Sequence, residues 1–160
     1  MNKANLLQRI VERLQVDLEV AQRAAQTAYE AATAEENIAE NKYDTLGLEA
    51  SYLATGQARR MAEIAQALKA LQQLPLRDHD AVLGIELGAL VLLADEQEQQ
   101  RWLFLAPDAA GLKLDWQGRS IMLISPSSPM GKSLRGQRVG DELSVQVGSK
   151  LQLFEVLEVF

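Results

Sequence analysis

Carboxylates are the side chains of this sequence most densely placed to do chemistry. Tyr29 through Asp44 holds Glu30, Glu35, Glu36, Glu40 and Asp44 against Lys42 alone, a net charge of −4 in sixteen residues. Part of that run has a plain structural reading. Thr33-Ala34-Glu35-Glu36 fits a capping box, in which Glu36 bonds back to the Thr33 backbone, and Asp44 or Thr45 can cap a following helix. A second charged group has the opposite sign: Lys132, Arg135 and Arg138 cluster among Gly131, Gly136 and Gly140, just after Pro126 and Pro129. Its plain reading is solvated surface.

Other chemistries are excluded by composition. The chain has no cysteine, which removes disulfides, thiolate metal sites and cysteine nucleophiles. Its one histidine, His79, lies between Asp78 and Asp80 and reads as a solvated linker residue. Gly131-Lys132-Ser133 echoes the end of a phosphate-binding loop, but Pro126 stands where the first glycine would be needed. The net charge of −6 opposes direct binding to duplex DNA, which needs many Lys/Arg–phosphate contacts. No stretch approaches the roughly 18 consecutive apolar residues of a membrane span. Met1-Asn2-Lys3-Ala4-Asn5 lacks the apolar core of a secretion signal. The expectation is a cytoplasmic protein with no membrane partner.

The elements that must position these groups change near residue 75. Of ten glycines only Gly47 and Gly56 come earlier, and all four prolines, Pro75, Pro107, Pro126 and Pro129, lie at or after it. The first half is rich in strong helix formers. Leu7, Ile10, Leu14, Leu18, Ala21, Ala25, Ala28 and Ala32 recur at three- and four-residue steps, the seam of a coiled coil. Ala54, Ala58, Met61, Ile64 or Ala65, Leu68 and Leu71 repeat that spacing. The pattern predicts an antiparallel helical hairpin over residues 1–75, turning near residues 33–45, with arms on the order of 45 Å long. Its tip carries the acidic run.

Residues 76–160 alternate short apolar runs with turn signals. Strands are predicted over Ile85–Leu93, Arg101–Leu105, Ser120–Ile124, Glu142–Val147 and Leu151–Val159. Met130-Gly131-Lys132-Ser133-Leu134 allows a turn or two of helix. The fold class expected is α+β: a coiled-coil hairpin followed by a curved antiparallel sheet with one short helix.

The run Ile124-Ser125-Pro126-Ser127-Ser128-Pro129-Met130-Gly131-Lys132-Ser133-Leu134-Arg135-Gly136-Gln137-Arg138-Val139-Gly140-Asp141-Glu142 resembles a stretch of the bacterial GreA/GreB family of transcript-cleavage factors. Ile85, Gly88 and Val91 resemble that family's opening of the domain, and Phe154-Glu155-Val156-Leu157-Glu158-Val159 its ending. The resemblance implies an FKBP-like sheet that docks on RNA polymerase at the rim of the secondary channel. It makes Ser125, Pro126, Pro129, Met130, Gly131, Lys132 and Leu134 the polymerase-binding candidates. Such sheets also occur in prolyl isomerases. Trp102, Trp116, Phe104, Phe154 and Phe160 are too scattered in sequence to suggest an isomerase pocket.

In the first half, Glu40-Asn41 and Gly56-Gln57-Ala58-Arg59 resemble family positions at the tip and the start of the returning helix. The resemblance implies tip carboxylates that help the polymerase hold a second Mg²⁺ during cleavage of backtracked RNA, with no cofactor of the chain's own. Glu40, Glu36 and Asn37 are the positions concerned. With Glu40 aligned, Asn37 stands at the family's catalytic aspartate and Glu36 at its glycine, and Tyr43 is displaced by one residue. An amide offers Mg²⁺ only a neutral oxygen. Lys42, Arg59 and Arg60, with Arg23, are the few bases available to approach the RNA 3′ end. Three functions follow as expectations: an accessory factor that stimulates polymerase's own RNA cleavage, a non-cleaving regulator in the same channel, or a coiled-coil adaptor with no polymerase role.

Overall fold

The computed structural model describes residues 1–34 and 46–160, without the side chains of residues 46, 47 and 50. Helix α1 runs from Lys3 to Thr33 and α2 from Leu46 to Gln72. Asn2 caps α1, its Oδ1 accepting the Asn5 N–H at 3.1 Å. Neither proline nor glycine interrupts α1, whereas α2 carries Gly56 in its interior. Pro75 follows soon after the end of α2, where the chain leaves the helix through a Leu74 N–H to Leu71 carbonyl bond of 3.3 Å.

The seam expected along α1 is the seam observed. Ile10, Leu14, Ala21 and Ala28 are buried, and Leu7, Leu18, Ala25 and Ala32 half-buried. On α2 the buried positions are Ile64, Ala67 and Leu71; Ala65 is exposed, and so is Ala58. Gln22, Ala25, Gln26 and Tyr29 of α1 line one groove with Ala54, Ala58 and Met61 of α2, so the end of α1 meets the first half of α2 in an antiparallel pair. Each methyl group buried on the seam stabilises by only about 0.8 kcal/mol, against about 2 for a leucine. Adhesion between the helices therefore weakens from Leu14 toward Ala28.

Two compact units are present. One comprises Val11–Lys69; the other joins Met1–Ile10 to Ala70–Phe160. The first turns of α1 and the last residues of α2 thus belong with the sheet. Leu6, Ile10, Leu71 and Leu74 are buried in that unit. Asn5 Oδ1 accepts the Trp116 indole N–H at 2.7 Å. Lys3 is half-buried, its Nζ donating to the carbonyls of Arg77 and Gly88.

The sheet contains β1 Leu90–Asp95, β2 Gln100–Leu105, β3 Lys113–Trp116, β4 Arg119–Ile124, β5 Glu142–Val147 and β6 Lys150–Val159. Their spatial order is β3-β4-β2-β1-β6-β5. The sheet is mixed rather than wholly antiparallel, because β2 pairs in parallel with β4. The cause is the short strand β3, absent from the sequence prediction: it lies outside β4, so β4 returns beside β2 in the same direction. Gln117 (φ 52°) and Gly118 (φ 73°) form the tight turn between β3 and β4. The first strand begins at Leu90 rather than Ile85, since Gly84 and Gly88 take left-handed φ values of 77° and 89° and keep residues 84–88 out of the ladder. Ile85 is nonetheless fully buried.

The core lies between one sheet face and the short helix α3, Pro129–Leu134. Val91, Leu93, Leu103, Leu105, Leu143, Val145, Phe154 and Val156 alternate inward along their strands to meet Leu134 and Ile85. No helix among the described residues is long and apolar enough to cross a membrane.

Candidate partner-docking site

Ser125 to Val139 forms one constructed loop around α3. Ser128 is the N-cap: its Oγ accepts the Gly131 N–H at 3.0 Å and donates to the Ser125 carbonyl at 2.7 Å. Pro129 takes the first helical position, where its missing N–H costs nothing. Ser125 Oγ lies 2.8 Å from Ser127 Oγ and accepts the Ser127 N–H at 3.2 Å. A Cβ at Gly131 would lie 1.9 Å from the Ser125 carbonyl oxygen, so only glycine lets α3 pack on that carbonyl.

These contacts divide the candidates named from the sequence. Gly131 is buried, and Leu134 fills the core at 0% exposure. Met130 packs partly against the core, while Ser125 and Pro126 are half-buried. Pro129 and Lys132 face solvent. The loop therefore presents Pro129 and Lys132 on a base made by Ser125, Ser128, Gly131 and Leu134.

Beyond α3 the chain is stitched to the segment before β1. Ile85 N–H donates to the Gln137 carbonyl and Gly136 N–H to the Ile85 carbonyl, each at 2.8 Å. Arg138 Nη2 reaches the Val82 carbonyl at 2.8 Å, and its backbone N–H donates to Asp141 Oδ2 at 2.8 Å. Arg135 and Arg138 are exposed, so with Lys132 the sequence-predicted basic cluster is a surface feature. Val82, Leu83 and Val139 at this corner were not singled out by the sequence. Their partners are some fifty residues apart in the chain, and no periodic pattern marks them.

Arg59 and Arg60 are exposed on α2, and Arg23 on α1. Glu36, Asn37, Glu40 and Lys42 lie outside the described residues. Among the described residues no group of three or more His, Asp or Glu side chains is placed to hold a metal ion.

Residues 84–160 match the family model for transcription elongation factor, GreA/GreB, C-term, just under half of the chain. Over these residues the chain is similar to the C-terminal domain of the GreA/GreB family. Over nearly its whole length it is also similar to solved structures of Gfh1. One is described as the transcription factor Gfh1, at 27% identity, covering 93% of this chain and 92% of that one, with a TM-score of 0.40. GreA factor homolog 1 (Gfh1) of Thermus thermophilus is 28% identical, with 94% of each chain covered and a TM-score of 0.39. Thermus aquaticus Gfh1 is 27% identical, with 92% of each covered and a TM-score of 0.39. No curated protein matches the sequence.

Proposed function

We propose that this protein is an accessory factor of RNA polymerase that works at the secondary channel. Residues 76–160 dock on the enzyme, and the helical part, residues 1–75, carries the acidic segment Glu36–Glu40 toward the active centre to modulate elongation. The observation that carries this reading is the GreA/GreB C-terminal domain over residues 84–160, with its Ser125–Leu134 loop held in one conformation. The factor brings no cofactor. Any metal involved is the Mg²⁺ of the polymerase, and contact with RNA is indirect, through its 3′ end near Lys42, Arg59 and Arg60. Docking of the full chain on bacterial core polymerase tests the reading, and absence of binding sinks it in favour of an adaptor role.

Asn37 favours a second, narrower reading: a non-cleaving regulator. A Mg²⁺ site with an amide at the aspartate position loses one charged ligand. Backtracked elongation complexes separate the two. RNA cleavage by the wild type that is lost in Glu40→Ala supports stimulated cleavage. Inhibited synthesis without cleavage products supports the regulator.

A further inference from the structure

Lys3 opens α1, and its charge costs the fold stability. Burial holds its pKa below the ordinary 10.5, and the helix dipole opposes a cation in the first turn. What the ammonium does supply is a pair of directed bonds. Its Nζ donates to the carbonyls of Arg77 and Gly88, both within 3.3 Å. Residues 74–89 contain no helix or strand, so these two carbonyls lie outside any ladder and need another donor. One nitrogen thus holds both ends of the loop 77–88. Closing the ends of a loop removes conformational freedom from everything between them.

The loop lies against the chain that follows α3. Ile85 N–H donates to the Gln137 carbonyl, Gly136 N–H to the Ile85 carbonyl and Arg138 Nη2 to the Val82 carbonyl, each at 2.8 Å. A Cβ at Gly84 would lie 2.4 Å from the Gly136 carbonyl oxygen, so the two backbones are in direct contact. Arg135 N–H and Gln137 N–H donate back to the carbonyls of Gly131 and Leu134, at 3.2 and 3.0 Å. Those two carbonyls belong to α3, the helix that presents Pro129 and Lys132 to solvent.

Resting on the polymerase-docking reading above, we propose that Lys3 is a positioning residue for docking. By holding both ends of the loop 77–88 it orders residues 136–138, and through them α3. A cation retained at a cost in stability then supplies specificity of conformation.

The full chain is compared as wild type, Lys3→Met and, as a control at an exposed lysine elsewhere, Lys150→Met. Amide hydrogen exchange reads the loop, and binding to purified bacterial core polymerase reads docking. In Lys3→Met the amides of residues 78–88 and 136–138 should exchange at least about tenfold faster, with β1 and β2 unchanged. Binding should weaken about three- to tenfold, the cost of ordering the loop again on contact. Lys150→Met should alter neither. Unchanged exchange in the loop of Lys3→Met overturns the inference. So does exchange that rises evenly over the whole sheet, the mark of a merely structural residue. Faster loop exchange with undiminished binding overturns it as well, while the docking reading stands. If the wild type fails to bind, the docking reading falls and this inference with it.

Discussion

Asn5 and Trp116, 111 residues apart, are joined by a 2.7 Å bond from the indole N–H to the amide oxygen. Trp116 is 3% exposed, so its N–H has little recourse to water. Replacing Asn5 by Ala should cost about 1–3 kcal/mol, the penalty of an unsatisfied buried donor. Asn5→Asp should recover most of it near neutral pH. Urea denaturation followed by tryptophan fluorescence measures both, and an unchanged midpoint in Asn5→Ala would remove the bond from the list of stabilising contacts.

Gly131→Ala places a methyl carbon 1.9 Å from the Ser125 carbonyl oxygen, a backbone atom that cannot swing aside. Helix α3 must shift, and the expected loss is about 2–3 kcal/mol. Polymerase binding should fall with it, because Pro129 and Lys132 ride on that helix. Lys132→Ala, by contrast, should weaken binding with no change in melting temperature.

Gly56 lies inside α2 with open space where a Cβ would go. Gly56→Ala should raise stability by up to about 1 kcal/mol through lower backbone entropy in the unfolded chain. Thermal melting of the full chain checks this.

Lys3 has a pKa below its ordinary 10.5, chiefly because burial disfavours the ammonium, with nearby Asp78 pulling the other way. The unfolded chain therefore holds this proton more tightly than the folded one. Below the folded pKa the penalty is fully present; it disappears as pH rises through that value to 10.5. Relative to Lys3→Met, the wild type should gain stability as the pH is raised through this alkaline window. A stability difference that is flat with pH would contradict the assignment.

Periodicity was enough to locate the helices and five of the six strands, because a seam of leucine and alanine or an alternation of apolar residues is a local signal. It chose poorly where one partner was short or distant. Lys113–Trp116 has only four residues, too few to display alternation, and its omission hid the parallel β2–β4 pairing. Ile85–Ala89 is apolar enough for a strand, but Gly84 and Gly88 turn the backbone away. At the candidate docking loop, sequence grouped Ser125 through Leu134 by resemblance. Only the packing separates Gly131 and Leu134, which build the loop, from Pro129 and Lys132, which face outward.

The central position of β1, between β2 and β6, fixes an order of assembly. The helices can begin to pair while the ribosome is still making the rest, since α1 and α2 follow one another in the sequence. The sheet cannot close until β6 has emerged, about sixty residues after β1. Leu6 and Ile10, synthesised among the first residues, reach their resting place among the last, and during that interval their apolar side chains are open to chaperones.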